Sequence, residues 1–160
     1  MFPFSDRISD SMQRRVVSVI QSPQFIFELP SLSTASWNMI LYDGHRRERL
    51  EFLGDALIGA SISEELFRCW PNEGPGFYTK ARSVLTANST FAHIMHKLGF
   101  HNMSHPVKPT GDAFETILAT YHKERGPDAF NQYVRQFFLP LVNCVGHGYH
   151  DARCVTFSSK

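Results

Sequence analysis

Little in this sequence points to secretion, to a membrane or to capture of a partner by bulk charge. Its three cysteines, Cys69, Cys144 and Cys154, are too few and too scattered for a disulfide framework. The first residues, Met1-Phe2-Pro3-Phe4-Ser5-Asp6, have neither a basic opening nor a long apolar stretch, so they do not read as a secretory signal. No apolar run approaches the length of a membrane span. With 16 Lys and Arg against 15 Asp and Glu, the net charge of +1 is far from the basic excess that holds nucleic acid by charge alone. Alternating β-branched stretches are nearly absent too, which argues against a sheet. The expectation is an intracellular protein, cytoplasmic or nuclear and not secreted, with no membrane partner.

What remains is helical periodicity. The 160 residues, 42% apolar and 19% charged, fit one globular domain with a real core. Ser9-Asp10 predicts a helix cap ahead of Val16, Val17, Val19 and Ile20, and Ser22-Pro23 ends that helix. Leu29-Pro30-Ser31 opens a short second helix through Trp37 and Ile40, and Asp43-Gly44 is a turn. A long helix is expected from about His45 to Cys69, stopped by the run from Pro71 to Gly76. Tyr78 to Lys97 is helical with a break near Asn88. Pro106 to Gly111 reads as a loop, Asp112 to Arg125 as a helix, and a last helix starts at Pro127 and ends or kinks at Pro140. The fold class is all-α. The division expected is a domain over residues 1–145 and a C-terminal tail over 146–160.

Two of these helices carry carboxylates in register. On the long helix Glu48, Glu51 and Asp55 fall within a roughly 60° sector, with Leu50, Leu53 and Leu57 expected on the opposite, core-facing side. Like charges at this spacing repel, and a divalent cation is the simplest species to offset them. Gly54 inside the helix lowers its propensity by about 1 kcal/mol relative to alanine, which points to a backbone or ligand passing close. Asp112 and Glu115 are one turn apart on the later helix, above a stripe of Phe114, Ile117, Leu118 and Tyr121, with small neighbours Thr116 and Ala119 leaving room beside them. Spacing alone supports a possible divalent-metal site, but an acidic helix face is more often simply a solvated surface.

The nine residues Glu48 to Ala56, reading ERLEFLGDA, resemble the ribonuclease III signature at every position, and Gly111 to Thr116, reading GDAFET, is similar to that family's second acidic motif. Between them Glu73-Gly74, Lys80 to Leu85 and Asn88-Ser89-Thr90 resemble the linking helices. The resemblance spans roughly residues 30 to 145. It implies a helical endonuclease domain of ribonuclease III type, acting on double-stranded RNA as a homodimer and leaving 5′-phosphate and 3′-hydroxyl ends with short 3′ overhangs. Carried over by position, Glu51, Asp55, Asp112 and Glu115 are the metal ligands, with Asp55 and Glu115 catalytic. Mg²⁺ is the implied cofactor, and Mn²⁺ can substitute. Glu48 and Glu73 support the site or the dimer, Phe52 packs across the dimer seam, and Lys108 and Asn88 are candidate RNA contacts. Where the family commonly reads Thr-His-Arg-Ser this chain has Ser33-Thr34-Ala35-Ser36, and Thr116 replaces a small apolar residue. The short stretch after the last helix leads one to expect a catalytic module alone, since a double-stranded RNA-binding domain needs about seventy residues.

Cys144, His147, His150 and Cys154 form a Cys-x₂-His-x₂-His-x₃-Cys set, open to a zinc reading or to that of an unstructured tail. His93 and His96 share a helix that supplies no matching carboxylate, and His96 is expected at the surface. Two other functions stay open. One is a non-catalytic ribonuclease III-like structural or RNA-binding protein, which retention of all four acidic residues disfavours. The other is a helical di-metal oxidoreductase, disfavoured because neither acidic helix carries a Glu-x-x-His pair.

Overall fold

A computed structural model describes residues 6–157. Among them are seven helices and no strand: α1 (Arg7–Gln21), α2 (Thr34–Tyr42), α3 (Gly44–Cys69), α4 (Pro75–Leu85), α5 (Asn88–Lys97), α6 (Val107–Arg125) and α7 (Pro127–Phe157). Their starts follow local chemistry. Asp6 caps α1 by accepting from the amides of Ile8 and Ser9, Ser33 caps α2 through Ser36, and Asp43 caps α3 through Arg46. Pro75 opens α4, where its missing N–H leaves no bond unmade.

Several boundaries depart from expectation: Ser9-Asp10, expected as the cap of the first helix, lies inside α1, and α2 opens at Thr34 instead of at Leu29-Pro30-Ser31. The stretch from Val107 to Gly111 is the first turn of α6 instead of a loop. Pro109 falls within that turn, where the amide it lacks has no helical partner anyway, so it tolerates the helix. At the other end α7 passes through Pro140 and through the expected tail boundary to Phe157. Proline leaves the Gln136 carbonyl without its helical donor, but both residues are exposed and water can serve it. The C-terminal half is then held by packing. Gly148 lies so close to α1 that a β-carbon there would come within 3.0 Å of the Met12 Cα, Ser11 Oγ donates to the Gly148 carbonyl at 3.1 Å, and Tyr149 stands edge-on to Phe77 at 5.0 Å.

α6 is the central element. It packs against α2, α3, α5 and α7, and from Phe114 to Thr120 every residue is buried. The core runs from Met12, Val16 and Ile20 of α1 through Ile58, Ile62 and Leu66 of α3 to Phe91, Phe114, Phe138 and Val145. The segment between α1 and α2 adds Phe25 and Phe27 with Ile26 turned outward. Phe27 meets Phe114, Tyr133, Phe137 and Phe138 at ring separations of 5.4–6.2 Å. A buried carboxylate ties α3 to α7, with Glu65 accepting from Arg68 at 2.6 Å and Arg135 at 2.9 Å. Burial alone would raise its pKa, but the two guanidiniums outweigh it and lower it.

The inner face of α3 is rotated from the one expected. Leu50, Gly54, Ile58, Ser61 and Ile62 are buried, while Leu53 and Leu57 are only half-buried. The carboxylate sector therefore borders the core instead of opposing it. No helix of the described residues is long and apolar enough to cross a membrane.

Candidate metal centre

Gly54 decides the geometry of the site. A β-carbon there would lie 2.1 Å from the Glu115 carbonyl oxygen, so α3 and α6 cross at nearly backbone-to-backbone distance. The close approach inferred from that glycine is therefore to α6 itself. Because Glu51 and Asp55 flank Gly54, the crossing places them on either side of Glu115. Thr116 and Ala119, expected to leave space for a ligand, are instead buried. Thr116 Oγ donates to the Asp112 carbonyl at 2.9 Å and reaches the Arg47 carbonyl of α3 at 3.4 Å, fixing the two helices together.

Glu51, Asp112 and Glu115 each offer a carboxylate oxygen to one point, the three lying within 4.8 Å of one another. They line a cavity of about 570 Å³ together with Asp55, Phe52, Lys108 and Asn88. Of the expected set, Asp55 lies outside the trio but hydrogen-bonds Glu115, and Asp112 in the same way bonds Glu51. Glu48 is exposed and faces a second hollow, of about 270 Å³, that shares Glu51 and Asp112 with the first.

Charge at the centre is poorly balanced. Among the described residues the one ammonium in reach is that of Lys108, which donates to Asp112 at 2.8 Å and stands 4.0 Å from Glu51. That contact, one helical turn before Asp112, gives Lys108 a place in the site and raises its pKa. Glu115 feels the deficit most. Burial, then the charges of Asp55, Asp112 and Glu51, push its pKa to about 7. Burial and then Asp112 also raise that of Glu51. Half-sequestered oxygens with one counter-charge form a hard, anionic donor set that fits a divalent cation.

The remaining expected residues are dispersed. Asn88 lies at the edge of the cavity, its side chain pressed where a β-carbon on Gly111 would be. Phe52 is 81% exposed, so it is not buried within its own subunit. Glu73 accepts from His150 Nε2 at 2.6 Å, a contact made within the chain. The Cys/His set does not converge. Cys144 is buried with its thiol donating to the Leu141 carbonyl, His150 is turned to Glu73, His147 stands against Trp70 and Cys154 is exposed. Regular helix from 144 to 154 spreads these side chains along its length, and among the described residues the carboxylate trio is the one metal-capable group. His96 is exposed, as expected, with Nδ1 against the His101 carbonyl. Ser83 and Thr86 also line the main cavity and were not anticipated. Their only signal in the sequence is proximity to Asn88 at the α4–α5 junction.

Two crossing helices here converge carboxylates on one point with little countercharge nearby, a cluster that could hold a metal ion. Residues 48–126 match the family described as the ribonuclease III domain. Across those residues the chain carries a ribonuclease III domain. Among curated relatives it is 27% identical over 128 residues to "Ribonuclease 3" of Rhodopirellula baltica, covering 71% of this chain and 48% of that protein. It is 29% identical over 104 residues to "Ribonuclease 3" of Anaplasma marginale, covering 58% and 45%, and 29% identical over 108 residues to that of Bacillus velezensis, covering 60% and 43%. The chain thus spans about half the length of the curated relatives it matches.

Proposed function

We propose that this domain is a Mg²⁺-dependent endoribonuclease that hydrolyses phosphodiester bonds in double-stranded RNA, leaving 5′-phosphate and 3′-hydroxyl ends with short 3′ overhangs. The observation that carries this reading is the convergence of Glu51, Asp112 and Glu115 within 4.8 Å, with Asp55 hydrogen-bonded to Glu115, in a family whose curated members bear the name ribonuclease.

Glu51, Asp112 and Glu115 would hold Mg²⁺, or Mn²⁺ in its place, and Asp55 would complete the set. When bound, such a cation lowers the pKa of a coordinated water and stabilises a leaving oxygen. The chain's own contributions are positional. The α3–α6 crossing fixes the carboxylates, Glu115 would have to be deprotonated to serve as a ligand, and Lys108 neutralises part of Asp112. Asn88, Ser83 and Thr86 give the cavity wall polar groups suited to ribose hydroxyls, which an A-form duplex displays in its shallow minor groove. A homodimer would align two such centres, one for each strand, with Phe52 in the seam.

Incubating the purified chain with long duplex RNA and Mg²⁺, beside single-stranded RNA and duplex plus chelator, tests the reading. Cleavage of duplex alone, abolished by chelator, is the expected outcome. A folded, metal-binding chain that leaves duplex RNA intact would favour the non-catalytic alternative.

A further inference from the structure

Another hollow lies away from the carboxylates, where α6, α7 and the segment before α2 meet. It measures about 400 Å³, within the range of small-molecule sites. Tyr121 on α6 stands about 14 Å along that helix from Asp112 and roughly half a turn around it, so the two sites open on different sides.

The floor of the hollow is aromatic. Tyr133 lies 5.5 Å from Tyr121 and 4.9 Å from Phe137, and Tyr121 and Phe137 remain half-buried rather than covered. The rim is polar. Arg125, Gln132 and Gln136 all line it, all are exposed, and none has a side-chain hydrogen bond within the described residues. Gln132 and Gln136 are one turn apart, which presents two amides side by side. Glu28 stands on the same rim. Its backbone carbonyl accepts from the Tyr133 hydroxyl at 2.6 Å, which anchors that wall to the floor.

We propose that this hollow binds a single nucleotide carrying a 5′-phosphate, with guanine the preferred base. Each feature answers to one part of that ligand. A flat heterocycle stacks on the tyrosine and phenylalanine rings, as bases do on aromatic platforms. The Arg125 guanidinium matches a phosphate in charge and in fork geometry. The glutamine amides serve base-edge and ribose groups as donors and acceptors. The Glu28 carboxylate accepts from two adjacent donors, which guanine presents on its Watson–Crick edge and adenine and uracil do not. A proline-rich peptide would use the same rings but leave the arginine and carboxylate unanswered. The site stands apart from the proposed nuclease centre and does not depend on it.

Calorimetric titration of the full chain with GMP, AMP and UMP, and with a short single-stranded RNA beginning in 5′-phosphoguanosine, tests the proposal. Saturable binding of GMP in preference to AMP and UMP is expected. Parallel binding of the RNA would extend the site to strand ends, and binding of GMP alone would restrict it to the free nucleotide. Arg125→Ala should weaken GMP binding about tenfold or more, the loss of one charge-assisted contact, and Gln132→Ala should weaken it less. Both variants should melt as the parent does and cleave duplex RNA at the parental rate if that activity is present. Absence of saturable GMP binding at millimolar concentration would overturn the proposal. So would binding indifferent to Arg125→Ala, or occupation of the hollow by a proline-rich peptide but not by GMP.

Discussion

At Glu115 the packing of two helices becomes chemistry. Its side chain is enclosed by the α3–α6 crossing and faces three other carboxylates, so without a cation it holds a proton up to about pH 7. The unfolded chain would release that proton near pH 4.5. Between those values the native state binds more protons than the unfolded one, so its stability falls as pH rises, by at most about 3 kcal/mol. The metal-free protein should therefore show its melting temperature declining from pH 5 to pH 7.5. Added Mg²⁺ or Mn²⁺ should raise it far more at pH 7.5 than at pH 5, a comparison that thermal melts at matched ionic strength will check. Glu115→Gln keeps the shape of the side chain and removes its charge, so packing about Phe114 and Ile117 should persist. The expected variant folds, melts with little pH dependence in this range, retains duplex RNA in a gel shift and cleaves it orders of magnitude more slowly. Near-parental cleavage would remove Glu115 from the metal set. The acidic residues themselves were legible in the sequence because their spacing and motif match are both local. The raised pKa was not, because it arises from α3 meeting α6 across some sixty residues of sequence.

Among the elements, α7 shows where local signals mislead. Pro140 and the following Cys/His residues read as the end of a helix and a tail, yet the helix continues because its inner face has a partner in α1. Gly146 makes room for the Trp70 ring, and Gly148 lets the α1 backbone come close. Two glycines in a helix lower its intrinsic propensity, and the close packing they permit outweighs that loss. Gly148→Val should then destabilise the protein by about 1–3 kcal/mol through overpacking, seen as a lower midpoint in urea, while leaving the carboxylate cavity intact. An unchanged midpoint would mean that the end of α7 contributes little to the fold. Helix existence was readable along most of the chain from 3.6-residue periodicity. The start of α6 and the end of α7 were not, since prolines at Pro109 and Pro140 carry a strong local bias that only the surrounding packing reverses.

At the scale of the whole molecule, one face of α3 carries two of the exposed large apolar side chains. Phe52 and Phe67 of α3, 81% and 73% exposed, are separated by small residues including Ala56, Gly59 and Ala60, all within one sector of the helix. Such a face suits a second copy of the chain, and the expected seam at Phe52 lies on it. Phe52→Asp should convert a dimer into an 18.3 kDa species by light scattering without lowering helicity. A parent already monomeric at micromolar concentration would remove the homodimer from the proposed function. The fold class and the acidic residues could be read before any coordinates, whereas the core-facing sector of α3 could not, because it depends on Gly54 fitting beneath α6. That fit also makes the glycine a caliper for ion size. With the helices this close, the proposed site would favour an ion that takes ligands at about 2.1 Å, as Mg²⁺ does, over one at about 2.4 Å, as Ca²⁺ does. A single methyl group in Gly54→Ala would prise the jaws apart. In a folded variant it should move relative affinity from Mg²⁺ toward Ca²⁺, a selectivity written in the absence of one side chain.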